Sequence, residues 1–470
     1  MSPILPSLEG GSPAACKQCL IPFTSLTKYW PLYTKPLVIF SPQLPSWVGA
    51  LSDPRMQGKI IYPLPILFWE ALLLFLLKLE ARRQITFILR PASAPLLSHL
   101  AALIKEDHSF LSTIACDDAV NDLLTEISIA ELQLLLQKMV ARLIRKRVLD
   151  HARLLDRWYM IAIDGSGLFC RRKRHCPRCL IKKSQSGELL YYHHVLEAKL
   201  ITVSGLALSI CSEFIENDVP DCLDISKEEY KQDCEIKAFK RLAPRLKAAF
   251  PRLPICILGD SLYAAAPIMN ICKEFSWTFC ISFKEGSIPS IYKEFQSLLP
   301  LQPQNRMTWE TKSVRQTISW ANDIEYRDHA VHLIQCIDHN KNDEQKKFLY
   351  LTNISTTTKT VPSLTNGAGR QRWKIENQGF NMQKNGGYNL EHVYSNNENA
   401  AQCFYILLQI AHLINQLIEH GNLIENLRKR YGSLKNLSRF LLIAFITSSI
   451  DPSVIDALFQ KPFQIRLNSS

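Results

Sequence analysis

The sequence predicts an α/β protein whose N-terminal part is all helical. Between residues 157 and 283, short apolar runs of strand type alternate with helical patterns, and two of these runs end on a carboxylate, Asp164 and Asp260. Before residue 157, apolar residues recur three and four positions apart, which is the spacing of a helix face. These two patterns together predict a helical domain followed by a sheet with helices packed on it.

The N-terminal part divides into two regions. Residues 1–58 are rich in Pro and Ser and lack periodicity, so we expect a loosely ordered extension. Residues 59–156 carry the helical pattern and include Asp117 and Asp118, acidic residues that suit a helix start. The most apolar segment, 65–77, contains Glu70 and is short for a membrane span, which favours a buried helix. We expect no membrane partner.

The alternating region yields a specific order of elements. The predicted elements are a strand ending at Asp164, strands at 191–200 and 201–211, a helix at 227–250, a strand ending at Asp260, a helix at 264–275 and a strand at 278–283. Three consecutive strands followed by helix, strand, helix and strand is the order of an RNase H-like fold.

After residue 283 the sequence shows strand patterns first and a helical pattern again afterwards. Strand patterns separated by Asn-, Asp- and Lys-rich turns occur at 313–319, 330–337 and 347–353. A helical pattern resumes at Arg370, breaks after Lys384 and continues from Glu398. The predicted domains are an extension at 1–58, a helical and DNA-binding region at 59–156, the first part of the RNase H-like catalytic domain at 157–283, a β-rich insertion at 284–365, the completion of the catalytic domain at 366–425 and a helical tail at 426–470.

Composition restricts the classes of partner. The chain has 470 residues, with 55 Lys and Arg against 43 Asp and Glu, a formal charge of +12 that favours a polyanion such as nucleic acid. Its 14 cysteines follow an N-terminus without signal-peptide character, which indicates reduced thiols in the cytosol. The sequence lacks a Gly-rich phosphate loop followed by Lys and Ser or Thr, so ATP-driven chemistry is not expected.

Three carboxylates carry the catalytic hypothesis. Asp164 and Asp260 end apolar runs beside tight turns, and Glu376 lies in a helical stretch. Transfer of a phosphodiester requires compensation of charge on the attacking and leaving oxygens, which two divalent metals about 4 Å apart supply. Asp and Glu oxygens suit Mg²⁺ or Mn²⁺. A single aspartate at a strand end is more often a turn or cap residue, and only the combination of three favours a metal site.

At these residues the chain resembles a known family. It is similar to the bacterial insertion-sequence DDE transposases that carry a strand-rich insertion between the second Asp and the Glu. The resemblance runs from about Met160 to Leu417, and its motifs are residues 162–166, 258–263, 351–353 and 372–376.

The resemblance implies a metal-dependent DNA transposase. By that likeness, Asp164, Asp260 and Glu376 hold two Mg²⁺ or Mn²⁺ ions, and the enzyme nicks DNA at the terminal inverted repeats of its element and joins the freed 3′-OH to target DNA. It implies a homodimer on DNA in the bacterial cytoplasm, associated with the nucleoid. Two alternatives remain open. One is an RNase H-like nuclease that cuts without joining, and the other is a catalytically silent DNA-binding protein derived from a transposase.

The last motif also supplies candidate DNA contacts. The family spaces Tyr, Arg, Glu and Lys on one helix face, and Arg372 and Glu376 keep the expected step of one turn. Gly369 stands at the Tyr position and Gln383 at the Lys position, so Lys384 or Lys374 would contact phosphate instead. The other predicted DNA-binding residues are Lys284, Arg171 and Arg172. For Trp373 we favour core packing over base stacking.

A cysteine and histidine cluster follows the first aspartate. Cys176 and Cys179 have the spacing of half a zinc site, and we predict them as zinc ligands together with one histidine of the next strand. His193 and His194 point to opposite faces of that strand, so only one can serve, and we choose His194. The alternative is a basic turn with two chance cysteines. Cys16 and Cys19 repeat the spacing without further ligands nearby, so no folded site is expected there.

Overall fold

The computed structural model describes residues 43–104, 110–217, 232–310, 314–339, 345–420 and 432–447. The architecture is mixed α/β, with one mixed ten-stranded sheet and helices packed around it. The strands are β1 Tyr159–Arg171, β2 Leu180–Lys183, β3 Leu189–Ile201, β4 Ala207–Ile215, β5 Ile255–Gly259, β6 Thr278–Phe283, β7 Arg306–Glu310, β8 Arg315–Tyr326, β9 His329–His339 and β10 Gln345–Thr352.

The α-helices in the described part of the chain are α1 Gln43–Gly49, α2 Leu64–Leu76, α3 Ser93–Ile104, α4 Asp117–Glu126, α5 Ile129–Arg145, α6 Glu235–Ala249, α7 Ala266–Glu274, α8 Pro289–Leu298, α9 Glu398–His420 and α10 Leu434–Thr447. A helical stretch over residues 363–385 precedes α9. It consists of the π-helical turns Ser363–Ala368 and Ile375–Asn381, the 3₁₀ turn Gly369–Arg372 and the single α-turn Met382–Asn385.

Strand β1 is the centre of the sheet. It pairs with β3 in antiparallel register and with β5 in parallel register, and β6 continues in parallel beside β5. Strand β4 covers the outer edge of β3. The prediction that the first strand ends at Asp164 is wrong. β1 continues to Arg171, because its ladder with β3 extends beyond the point where β5 stops.

The strands of the predicted β-rich insertion extend the same sheet. β10 pairs with β6 through Leu349↔Phe283 and Thr352↔Cys280, and β9, β8 and β7 follow outward in order. Helix α8 and strands β2 and β7 were not predicted from the sequence. β7 leaves most of its side chains exposed, so it carries none of the apolar alternation that marks a half-buried strand.

Several predicted elements shift or leave the described residues. The strand predicted at 201–211 runs from Ala207 to Ile215, because residues 202–206 form the turn between β3 and β4. The helix predicted from residue 227 begins at Glu235, and residues 218–231 lie outside the described part. Residues 1–42 and 448–470 also lie outside it, so most of the predicted extension and part of the predicted tail are not described.

The N-terminal helices pack against α9. Nearly every residue of α2 is buried, which confirms the predicted buried helix. Helices α2, α4 and α5 all contact α9, whose side chains are buried from Cys403 through Ile418. Within the described residues, two helical stretches, Ile85–Ile104 and Glu398–His420, are long and apolar enough to cross a membrane. The most apolar window of the second is 89% buried in the protein, as in the core helix of a folded domain.

A buried polar layer joins β3 to α9. Lys199 is fully buried, lies 3.4 Å from the Glu197 carboxylate and donates to Gln409 Oε1 at 2.7 Å. Tyr405 donates to the other Glu197 oxygen at 2.7 Å, and Gln383 donates to Gln409 at 2.7 Å. Burial lowers the pKa of Lys199, which the adjacent Glu197 carboxylate opposes. Because an unpaired charge is costly in a core, this layer fixes the position of α9 on the sheet.

Glu70 permits a test of burial in α2. It is fully buried, and its Oε1 accepts a hydrogen bond from the Ala115 backbone N–H at 3.1 Å. Burial raises the pKa of Glu70 to about 8 from its usual 4.5. The folded state therefore keeps the proton while the unfolded state loses it, so wild-type stability falls as pH rises between these two values.

We expect Glu70→Gln to remove this loss, because the amide keeps an acceptor for Ala115 and does not ionise. The variant should gain about 2–4 kcal/mol over wild type between about pH 5 and pH 9, at roughly 1.4 kcal/mol per pKa unit. Urea denaturation across that range measures the difference. A difference that stays constant with pH would contradict the buried carboxyl.

Candidate active site

The two predicted aspartates lie at the same end of the adjacent parallel strands β1 and β5. β1 and β5 run parallel with Ala162 opposite Leu258, and each aspartate follows its strand partner by two residues. Asp164 lies within β1 and Asp260 directly follows β5, so both carboxylates lie at the same end of this parallel pair. Burial raises the pKa of the nearby Tyr263 hydroxyl, and both aspartates add to that rise. Asp260 Oδ1 also accepts from the Leu262 N–H at 2.9 Å, which makes it the cap of the next turn.

Glu376 is linked to Asp164 by the side chain of Arg372. Arg372 Nη1 donates to Glu376 Oε1 at 2.8 Å and lies 3.4 Å from Asp164 Oδ2. The two residues are four apart in a helical stretch, so they share a face. The stretch is built from π and 3₁₀ turns where a regular helix was predicted, and π turns occur frequently at functional sites.

The electrostatics of the edge favour a cation. The Asp164 side chain is 18% exposed, and burial raises its pKa to about 7. The Arg372 guanidinium opposes this rise, whereas the carboxylates of Glu376 and Glu235 add to it. A bound divalent cation would stabilise the ionised form of such a carboxylate. The donors are carboxylate oxygens at a partly exposed edge, a set that fits Mg²⁺ or Mn²⁺.

A further carboxylate, Glu235, lies near Asp164 and was not predicted from the sequence. It is the first residue of α6, and its Oε2 accepts from the Tyr263 hydroxyl at 2.8 Å. Its Oε1 lies 3.5 Å from His194 Nε2. An acidic residue at a helix start ordinarily complements the helix dipole, so the sequence offers no signal that Glu235 approaches Asp164.

Gly165 makes room for this approach. A Cβ at Gly165 would lie 2.4 Å from both Glu235 Oε1 and His194 Nε2. A larger residue beside Asp164 would therefore force the side-chain ends of Glu235 and His194 to move. Gly167, two residues further along the same strand, has no neighbouring atom within 4 Å of its would-be Cβ.

Two predicted DNA contacts are engaged within the protein. Lys374 donates to the backbone carbonyls of Thr202, at 2.8 Å, and Val203. Lys384 forms an ion pair with Glu391 at 2.8 Å. The ammonium of Lys374 therefore anchors the Glu376 stretch to the turn between β3 and β4.

The other predicted contacts are more exposed. Lys284 is exposed directly after β6, at the same end of the parallel strands as Asp260. Arg172 is 81% exposed and lies 3.7 Å from Glu188, and Arg171 donates to Asn396 at 3.0 Å. Trp373 is 54% exposed, so the expectation that it packs in the core is wrong.

The two departures from the family motif have structural explanations. A Cβ at Gly369 would lie 2.4 Å from the Tyr350 ring, so an aromatic ring from β10 already fills this space. Gln383 is fully buried in the polar layer, where it also contacts His412 at 2.9 Å. Neither position is available to bind DNA in this structure.

The predicted cysteines lie in a cluster with two histidines. His175, Cys176, Cys179 and His193 place their ligand atoms within 4.8 Å of one another. The choice of His194 is corrected, since His193 is the strand residue that joins the cluster. The two histidines are adjacent on β3 and point to opposite faces, and His194 faces Glu235. Cys16 and Cys19 lie outside the described residues.

The geometry of these residues defines a carboxylate edge and, apart from it, a Cys/His cluster. Comparison with protein-family profiles and with curated proteins finds no match for this chain. The function is therefore inferred from the chemistry of the two groups.

Gly165→Ala and Gly167→Ala form a matched pair. The first should destabilise the protein by about 1 kcal/mol, because the new methyl group must push aside the side-chain ends of Glu235 and His194. The second should leave stability within about 0.5 kcal/mol of wild type, because its methyl group enters open space. Denaturant unfolding of both variants measures this. Equal effects of the two substitutions would refute the close approach of Glu235 to β1.

Proposed function

We propose that this protein is a DDE transposase, an enzyme that performs metal-dependent DNA cleavage and strand transfer at the ends of its insertion sequence. One observation carries the proposal. Asp164 on β1 and Asp260 just after β5 lie at the same end of two adjacent parallel strands, and Arg372 links Asp164 to Glu376. Residues distant in sequence thus converge on one partly exposed edge, as a metal-dependent phosphoryl-transfer site requires.

The order of the strands supports an RNase H-like catalytic domain. The order is β4-β3-β1-β5-β6, with β3 antiparallel to its neighbours and β5 and β6 parallel to β1. Helix α6 connects the antiparallel part to β5, and α7 connects β5 to β6. The sequence predicted three strands before helix α6, whereas four precede it, because the short strand β2 lies between β1 and β3 in the chain and pairs with β3. Strands β7 to β10 extend the sheet beyond β6.

Each residue of the edge has a role in this proposal. Asp164, Asp260 and Glu376 would hold the metal ions, which supply charge compensation for the attacking and leaving oxygens. Arg372 holds the Glu376 carboxylate toward Asp164 and limits the repulsion between them. Glu235, held by Tyr263, orders the start of α6 next to the backbone that carries Asp164.

The proposed substrate is DNA. The charge of +12 favours a polyanion, and Lys284 is exposed at the end of β6 that lies on the side of Asp260. The exposed Trp373 directly follows Arg372 in the chain and offers an aromatic face for a base. We further propose that the enzyme acts as a homodimer on paired terminal inverted repeats in a bacterial cytoplasm, as the resemblance implies.

Cleavage of the DNA that flanks the gene on each side tests this proposal. In Mg²⁺ or Mn²⁺, wild type should nick labelled flanking fragments at discrete positions and join the 3′-OH to a second DNA. Asp164→Ala, Asp260→Ala and Glu376→Ala should each lower nicking by about 10²-fold or more, because each removes a metal ligand. Gel-shift binding of the same fragments should be largely retained.

Glu274→Ala is the control, since this exposed glutamate precedes β6 at the opposite end of the parallel strands. It should cleave like wild type. Nicking that persists in the Asp164 and Asp260 variants would overturn the proposal. Cleavage without joining would favour the nuclease alternative, and specific binding of the fragments without any cleavage would favour the silent DNA-binding protein.

A further inference from the structure

We propose that His175, Cys176, Cys179 and His193 bind one structural zinc ion, in a site separate from the carboxylate edge. Three of the residues come from the connection between β1 and β2, and the fourth lies on β3. The site therefore joins the β1–β2 connection to the strand β3 that follows β2 in the chain. It involves none of the residues that the proposed DNA chemistry uses.

The distances are close to those around a tetrahedral ion. Zinc bonds of about 2.3 Å to sulfur and 2.0–2.1 Å to nitrogen place neighbouring ligand atoms about 3.3–3.8 Å apart. The two sulfur atoms lie 3.4 Å apart. His193 Nε2 lies 3.2 Å from Cys176 Sγ and 3.7 Å from Cys179 Sγ. Either ring nitrogen of His175 lies 3.5 Å from Cys179 Sγ.

The surroundings are those of a closed structural site. Cys179 is fully buried and His193 is 8% exposed. The Phe169 ring packs on both histidines, with ring centroids 5.2 Å from His175 and 5.1 Å from His193. Asn217 donates to the Cys179 carbonyl at 2.9 Å and fixes the backbone of that ligand. Four protein ligands complete the coordination sphere, so the site has no open position for a substrate.

The donor atoms select the metal. Two sulfurs with two imidazole nitrogens favour zinc over the hard cations Mg²⁺ and Mn²⁺ that suit the carboxylate edge. The two groups are thus expected to hold different metals. A disulfide is the competing chemistry for Cys176 and Cys179, but their sulfurs lie 3.4 Å apart, whereas a disulfide bond is about 2.05 Å long.

The ion would fix the basic turn between β1 and β2. This turn carries Arg172, Lys173 and Arg174, and in the described structure Arg174 donates to the carbonyls of Cys176 and Pro177. The cluster links this turn to β3 through His193. The further role of presenting these cations to DNA phosphates rests on the proposed function.

Metal analysis of the purified full-length protein tests the site. Inductively coupled plasma mass spectrometry should find about one zinc per chain in the wild type. Cys179→Ser and His193→Asn should each lose most of it, because each removes a ligand. His194→Asn is the matched control, since the neighbouring imidazole points to the other face of β3, and it should retain the zinc.

A cobalt spectrum keeps the test valid where a variant fails to fold. Wild type reconstituted with Co²⁺ should show the intense d–d bands of a tetrahedral site and sulfur-to-cobalt charge transfer. Octahedral cobalt bands, unchanged zinc in His193→Asn, or a Cys176–Cys179 disulfide without metal would each overturn the proposal. Because the assay needs no DNA, and Asp164→Ala should keep its zinc, failure here is distinguishable from failure of the proposed transposase activity.

Discussion

The hydrogen-bond ladders of β1 are the constraint on which the rest of the structure depends. Its parallel ladder with β5 brings Asp164 and Asp260 to the same end of the two strands, and its antiparallel ladder with β3 runs on past the end of β5. The first ladder builds the carboxylate edge. The second carries the chain out to the turn that holds the Cys/His cluster and brings His193 back toward it. A shift of either register by one residue would turn these side chains to the wrong face.

Buried polar contacts also link strand β3 and the stretch that bears Glu376 to helix α9. Lys199 and Glu197 on β3 are paired in the core and hold Gln409 and Tyr405 of α9. Gln383, in the last turn of the stretch that bears Glu376, joins the same layer. The position of Glu376 relative to Asp164 is therefore set by a buried network as well as by Arg372, and a hydrophobic core alone would not fix it so specifically.

The carboxylate edge carries a cost in stability that is consistent with a cation site. Burial raises the pKa of Asp164 to about 7, and only one guanidinium, that of Arg372, lies against it among the described contacts. The folded state therefore resists ionisation of Asp164 when no metal is bound. Strongly shifted pKa values of this kind occur frequently at functional sites.

The sequence by itself determined the helical start, the alternating centre and the pair of aspartates, because apolar periodicity and strand-end carboxylates are local signals. It located the strand Thr278–Phe283, and the spacing of Cys176 and Cys179 pointed to the cluster that these two cysteines form with two histidines. It could not reveal that β7 to β10 extend the central sheet, that Glu235 approaches Gly165, or that His193 rather than His194 joins the cysteines. Only the tertiary structure decided these points, because they depend on which elements pair and which face a strand turns toward its neighbours.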